Sequence, residues 1–335
     1  GATAWWHVRE LSVRGYAEVL RELPRLLRLR GELRRRLLAA RPSVVVGVDS
    51  PDFNLRLEMQ LRAAGVPTVH YVSPSIWAWR PKRIEKIRRA ADRVLLVFPF
   101  EQSIYDDAGI AATYVGHPLA SAIPTQVDAD AARARLGLSS GGPLVALLPG
   151  SRRAEVEYIG PSFIDAARRM LLRQPRMRFV LPVAEPGLRA ALAPALAAAA
   201  EAAERIMVID GRSHDCLEAA DGVLVASGTA TLEAALFGRP MVIAYRMPPS
   251  SYWIMRQMGT VRFVGLPNIL AGEALVPELI QQDATGERLA EALLTMLDDT
   301  LRCDRLRERF ARMHEELRRD TPRLAAEAIC ATMRT

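Results

Sequence analysis

The sequence predicts an α/β protein made of two doubly wound halves with a cleft between them. Three observations carry that prediction. Short runs of β-branched and apolar residues recur along the chain and end in Gly, Pro, Ser or Asp. Most of them are apolar without alternation, the pattern of strands covered by helices on both faces of a parallel sheet. Stretches of helical spacing lie between them, and a segment rich in Pro, Ala, Ser and Asp, residues 118–130, separates two such series.

The elements follow in order. A helical pattern runs from Tyr16 to Arg36, with a break or kink expected at Pro24 and Gly31. Strands are expected at 44–48, 68–72, 94–98 and 114–116, with helices at 80–90 and 101–108 among them. A second series opens after Gly141-Gly142-Pro143. Its strands are expected at 144–148, 178–183, 206–210, 222–226 and 241–245, with helices at 155–173 and 229–237. Residues 287–335 read as helices only. The expected division is 1–125, 126–305 and a helical tail at 306–335. In open sheets of this kind ligands bind at the carboxyl ends of the strands, so each strand end is a candidate site.

Composition narrows the function. Of 335 residues, half are hydrophobic and a quarter charged, enough for two packed cores and unlike a disordered or acidic solvating chain. The net charge of +7 comes almost wholly from arginine and favours an anionic partner: a nucleotide, a phospholipid surface or a nucleic acid. No helix-turn-helix, zinc-finger or RNP signature supports nucleic acid, and none is expected as a partner. Cys216, Cys303 and Cys330 are widely spaced, so neither a disulfide framework nor a structural zinc site is expected, and a reducing compartment fits. The apolar stretch at 190–203 contains Pro194 and Glu201 and is too short to span a bilayer. Residues 1–9 do not read as a signal peptide.

Five segments are site candidates. In Asp49-Ser50-Pro51-Asp52-Phe53-Asn54, at a strand's carboxyl end, two carboxylates three residues apart suit a general base and its supporting partner. The alternative is a strand-ending turn with Asp52 capping the next helix. In Leu147-Leu148-Pro149-Gly150-Ser151-Arg152, free N–H groups at a helix start and a guanidinium suit a phosphate, against a plain βα turn with a surface Arg. In Ala226-Ser227-Gly228-Thr229, a strand again runs into a helix start. Glu233 lies four residues after Thr229, outside capping-box spacing, and suits the hydroxyls of a ribose, against a solvated Glu on a Thr-capped helix. Trp77 and Trp79, in the loop 70–80, suit either a sugar or lipid pocket or a packed aromatic corner. Asn268, in a Pro- and Gly-bounded loop, and Arg246 before it suit a base or phosphate, against a structural Asn in a turn.

The remaining features are weaker. The histidines show no metal spacing, and His117 ends a strand just before the linker, within reach of the cleft. Asp128-Ala129-Asp130 has a metal-binding form but is expected to start a helix. Val19, Leu20, Leu23, Leu26 and Leu27 form an apolar stripe flanked by arginines. This suits an interfacial helix on anionic lipid or a helix packed on the sheet with a basic outer face, and the pattern alone favours packing.

Taken together, VVVGVDSPDFN, HYVSPSIWAWR, LLPGSRRAEVE, ASGTATLEAALFGRPMVIAYRM and LPNILAGEALVPEL, in this order, resemble the lipid-A-disaccharide synthases. The similarity runs from about Glu10 to the C-terminus. It implies a GT-B glycosyltransferase of two Rossmann-like domains, whose last helices cross back to the N-terminal domain. The implied reaction joins UDP-2,3-diacylglucosamine to 2,3-diacylglucosamine 1-phosphate (lipid X), giving a β-1,6 disaccharide 1-phosphate and UDP. The anomeric centre inverts, with no metal or other cofactor. By motif, Asp49 is the base for the acceptor 6-hydroxyl and Asp52 supports it. Arg152 faces the diphosphate, Ser227, Gly228 and Thr229 offer N–H groups, Glu233 takes the ribose, and Arg246 and Asn268 complete the UDP pocket. The Val19–Leu27 stripe, with Trp77 and Trp79, lies on the acceptor side, where the family docks on the cytoplasmic face of the inner membrane of Gram-negative bacteria.

The resemblance leaves a homodimer open. The sequence departs from the family in lacking its opening strand and Gly-rich AGE-SGD loop. Without those roughly fifty residues, backbone groups of a parallel sheet are expected to lack partners. The competing reading is another UDP-sugar GT-B enzyme, a cell-wall glycosyltransferase or UDP-sugar epimerase, with a different acceptor.

Overall fold

Two parallel sheets organise the chain. The structure, a computed structural model, describes residues 3–6, 16–77, 81–138, 141–248, 252 and 262–333. It divides into one unit of Gly1–Val115 with Pro322–Thr335 and a second of Gly116–Thr321.

The first unit alternates α1 (Tyr16–Ala40), β1 (Val45–Val48), α2 (Pro51–Ala63), β2 (Thr68–Tyr71), a 3₁₀ turn (Pro81–Arg83), α3 (Ile84–Ala90), β3 (Arg93–Leu96), α4 (Glu101–Asp107) and β4 (Ala112–Tyr114). Its strands lie in the order β1-β2-β3-β4. On one face Val94 and Leu96 pack with Leu55 of α2, Ile87 of α3 and Tyr105 of α4. On the other, Val69 and Leu95 pack with Leu324 and Ala328 of the last helix (Thr321–Cys330). Cover on both faces is the physical reason that these strands read as unbroken apolar runs. The expected break in α1 is absent. The helix runs through Pro24 and Gly31, because one exposed Pro removes a single hydrogen bond and the surrounding Leu, Arg and Glu are good helix formers.

The second unit continues with α5 (Pro118–Ala122), α6 (Ala129–Arg135), β5 (Leu144–Leu148), α7 (Arg153–Arg173), β6 (Arg178–Val183), α8 (Pro186–Ala198), β7 (Ile206–Asp210), α9 (Ser213–Ala219) and β8 (Gly222–Ala226). It closes with α10 (Thr229–Leu236), β9 (Met241–Tyr245), α11 (Leu266–Ala271), β10 (Glu278–Ile280), α12 (Gly286–Asp298) and α13 (Thr300–Leu317). The strand order is β10-β9-β8-β5-β6-β7, with each neighbouring pair parallel. The chain winds outward from β5 in both directions, so the switch point lies between β5 and β8. Both units are Rossmann-like.

The unit boundaries differ from the expected 125 and 306. His314 Nε2 is 2.8 Å from the Ala120 carbonyl, His117 N–H donates to Leu317 O (2.9 Å), and Ser121 Oγ donates to Arg319 O (3.1 Å). These bonds tie α5 to α13, so both stay in the second unit. Asp128 caps α6 by accepting from Ala131 N–H (2.9 Å), the helix start expected for it.

Candidate active site

A cavity of about 320 Å³ opens at the carboxyl ends of β5, β6 and β8, at the switch point of the second sheet. Three turns build it. After β5, Gly150 adopts φ 115° beside α7; a Cβ there would lie 2.6 Å from Glu155 Oε2, so only glycine fits. Arg152 follows at the N-cap of α7, two-thirds exposed, with Nη1 donating to Glu155 Oε1 (2.9 Å). After β8, Ser227 Oγ donates to Val264 O (2.8 Å) and Gly228 takes φ 149° at the N-cap of α10. No side chain caps that helix, and its positive end lines the cavity at Gly228, Thr229 and Ala230, while Thr231 N–H donates to Gly228 O (3.1 Å). Glu233 lines the same wall, with Oε2 3.4 Å from His214 Nε2. A guanidinium, a helix start without a side-chain cap and a carboxylate together suit a diphosphate joined to a diol.

Of the residues singled out in the sequence, Arg152, Ser227, Gly228, Thr229 and Glu233 line this one cavity. It does not gather the other two. Asn268 is wholly buried, and its amide is used up: Nδ2 donates to Val276 O and Glu278 Oε1 (2.9 Å each), and Oδ1 accepts from Val276 N–H (3.0 Å). The structural reading of Asn268 therefore replaces the UDP contact. Arg246 is exposed, donates to Ser162 Oγ (3.1 Å) and lies outside the lining. Sequence reasoning missed Glu155, Ser213 and His214. A usable signal for the last two was the Gly-Arg-Ser-His turn directly after the strand at 206–210.

In the first unit, the β1–α2 turn carries Asp49 and Asp52. Asp49 and Ser50 both hold left-handed backbone, φ 50° and 43°. Such strain in non-glycine residues marks a turn held by its surroundings. Asn54 holds it, its Nδ2 donating to Val48 O (3.0 Å) and Asp49 O (2.8 Å). The carboxylate of Asp49 stays exposed. Asp52 does not cap α2; the N-cap is Ser50, with Pro51 starting the helix. Asp52 instead lies 2.5 Å from Arg83 Nη2.

Trp77 forms the packed corner. Its Nε1 donates to Glu101 Oε1 (3.2 Å), and its ring meets Phe100 edge to face at 5.3 Å. Glu101 is buried, accepts also from Phe98 N–H (3.2 Å), and burial pushes its carboxyl up to about 7. Trp79 and the side chains of Val19 and Leu20 lie outside the described residues. Leu23 and Leu27 are exposed and Leu26 half-buried on α1. His117 is half-buried: its Nδ1 accepts from Leu119 N–H (3.2 Å), and burial lowers its pKa to about 4. Among the described residues, no helix is long and apolar enough to cross a membrane.

The model of the family described as lipid-A-disaccharide synthetase matches residues 1–331. The chain belongs to the lipid-A-disaccharide synthase family. It is 52% identical over 326 residues to the lipid-A-disaccharide synthase of Burkholderia mallei (strain ATCC 23344), covering 97% of this chain and 84% of that one. It is 51% identical over 329 residues to that of Burkholderia vietnamiensis, covering 98% and 84%. Lipid-A-disaccharide synthases are glycosyltransferases of lipid A biosynthesis, and this chain is such an enzyme by family. Solved structures give the fold. Sucrose-phosphate synthase from Thermosynechococcus elongatus superposes with TM-score 0.58 at 15% identity, over 92% of this chain and 79% of that one. UDP-GlcNAc 2-epimerase from Neisseria meningitidis, bound to UDP-GlcNAc, superposes with TM-score 0.58 at 11% identity, over 96% and 83%. The fold is GT-B.

Proposed function

We propose that this lipid-A-disaccharide synthase family member joins UDP-2,3-diacylglucosamine to 2,3-diacylglucosamine 1-phosphate (lipid X). The products are the β-1,6 disaccharide 1-phosphate and UDP. The observation that supports it most is the wall shared by Arg152, the start of α10 and Glu233. In this reading Glu233 accepts from the ribose hydroxyls. The diphosphate sits between the Arg152 guanidinium and the N–H groups of Gly228 and Thr229; the Ser227 N–H, expected to join them, donates instead to Ala244 O (3.0 Å).

Asp49 takes the proton of the acceptor 6-hydroxyl as that oxygen attacks the anomeric carbon. The bond from that carbon to the diphosphate oxygen breaks, and its electron pair leaves with UDP. One displacement inverts the centre. The charge that develops on the leaving group is met by Arg152 and the α10 dipole, so the reading requires no metal or other cofactor. Asp52, paired with Arg83, supports the turn that presents Asp49. The enzyme works as a peripheral protein at the cytoplasmic face of the inner membrane, with Leu23 and Leu27 of α1 turned to lipid and arginines beside them.

The test is product analysis. The chain is incubated with both substrates in EDTA, and the products are quantified and their linkage assigned by NMR. Equimolar UDP and a β-1,6 disaccharide 1-phosphate are expected. UDP release that does not depend on lipid X, or transfer only to a different acceptor, would replace this reading with the competing UDP-sugar enzyme.

A further inference from the structure

We propose that Arg30, Arg56 and Lys86 form a subsite for a phosphate monoester, beside the turn that carries Asp49 and Asp52. The inference rests on the reading that the first unit takes a phosphorylated acceptor, and it adds where that phosphate is held. Three helices converge here: α1 brings Arg30, α2 brings Arg56 and α3 brings Lys86, with Arg83 from the 3₁₀ turn before α3. Phe53, under Arg30, and Asp52, bonded to Arg83, lie on the turn of α2 just before Arg56, and Lys86 follows Arg83 by one helical turn. Four cations thus meet one carboxylate.

That carboxylate is already engaged, since Arg83 Nη2 lies 2.5 Å from Asp52 Oδ1. Arg30, Arg56 and Lys86 make no ion pair among the described residues. The Arg30 guanidinium carbon lies 6.0 Å from the centre of the Phe53 ring, which holds it beside α2. Arg30 and Lys86 are half-buried, and burial first, then neighbouring positive charge, holds both below their ordinary pKa values. Asp52 works against this at Lys86 without reversing it. The N-terminus of α2 adds to the positive potential, because Ser50 offers no side-chain cap.

Partly desolvated like charges held together are unfavourable unless an anion joins them. A phosphate monoester carries close to two negative charges and three acceptor oxygens, which matches a surplus of cations from three directions better than a carboxylate does.

The experiment uses the full chain saturated with UDP, so that the second unit's cavity is occupied. Glucosamine 1-phosphate is titrated and followed by ³¹P NMR, with glucosamine as the uncharged control. Arg56→Gln, Lys86→Gln and the double variant are compared with wild type; Arg56 is exposed, so its replacement leaves the fold intact. Each substitution is expected to weaken glucosamine 1-phosphate binding about tenfold, the effect of one charge-assisted bond. UDP affinity should not move, and KM for lipid X should rise while kcat holds. Unchanged glucosamine 1-phosphate binding in the double variant would overturn the subsite. Unchanged KM for lipid X, with lost sedimentation on phosphatidylglycerol vesicles, would overturn it too, by assigning the cations to membrane phosphate. Cluster-dependent binding of glucosamine 1-phosphate by a chain that does not turn over lipid X would uphold the subsite and reject the proposed reaction.

Discussion

Glu101 is the residue whose environment most changes its chemistry. It is buried under the Trp77 loop, and its carboxyl is raised from the usual 4.5 to about 7. Between those values the folded protein keeps a proton that the unfolded chain releases, so stability falls as pH rises through the window and stays lowered above 7. The shift corresponds to about 3 kcal/mol. Glu101→Gln should flatten the fall in the urea midpoint between pH 5 and pH 8, and a slope like wild type would contradict the assignment. Residue identity and strand-end position were enough to gather Arg152, Glu233 and the helix start at Thr229 around one cavity. They were not enough for Asn268, because a loop sequence does not say whether an amide faces a ligand or closes on Val276 and Glu278. Glu101 itself was hidden for the same reason: nothing in spacing shows that a Glu opening a helix turns inward to an indole.

At the scale of elements, α2 and β2 are pinned by a buried pair. Glu58 Oε1 lies 2.8 Å from His70 Nδ1, with both side chains at or below 1% exposure. Removing one partner leaves the other buried without its bond, a cost of about 3 kcal/mol. Glu58→Ala should therefore lower the urea midpoint strongly, and replacing both residues with apolar ones should recover much of the loss. A single variant as stable as wild type would show that the pair contributes nothing. The strands were legible because helices cover both faces and force apolar runs. The exception is β10, three residues long, whose Glu278 turns inward to accept from Val264 N–H and Gly265 N–H (2.9 Å each) and so reads as polar. Helix α1 was read as broken because Pro24 is a strong local signal, yet a long run of helix formers outweighs one lost bond.

At the scale of the molecule, two Rossmann-like units follow from two βα series, but residues 118–130, which read as a linker from their composition, carry α5 and the start of α6 and belong to the second unit. Which unit holds the final helices was not legible from period alone, since a helical period fixes an apolar face and not its partner. The answer lies in particular contacts: His314 secures α13 to α5, while Leu324 and Ala328 pack on Val69 and Leu95. Membrane docking is also a property of the whole enzyme. Leu23→Glu with Leu27→Glu, at two exposed positions of α1, should reduce sedimentation with anionic vesicles and leave the melting temperature unchanged. Vesicle binding like wild type would remove the helix from the membrane contact. The most direct measurement of the proposed chemistry separates turnover from nucleotide binding in Asp49→Asn. The account predicts turnover of UDP-2,3-diacylglucosamine with lipid X reduced about a hundredfold or more, and UDP affinity within about twofold of wild type. Retained turnover, or an equal loss of UDP affinity, would contradict the role of Asp49 as the base.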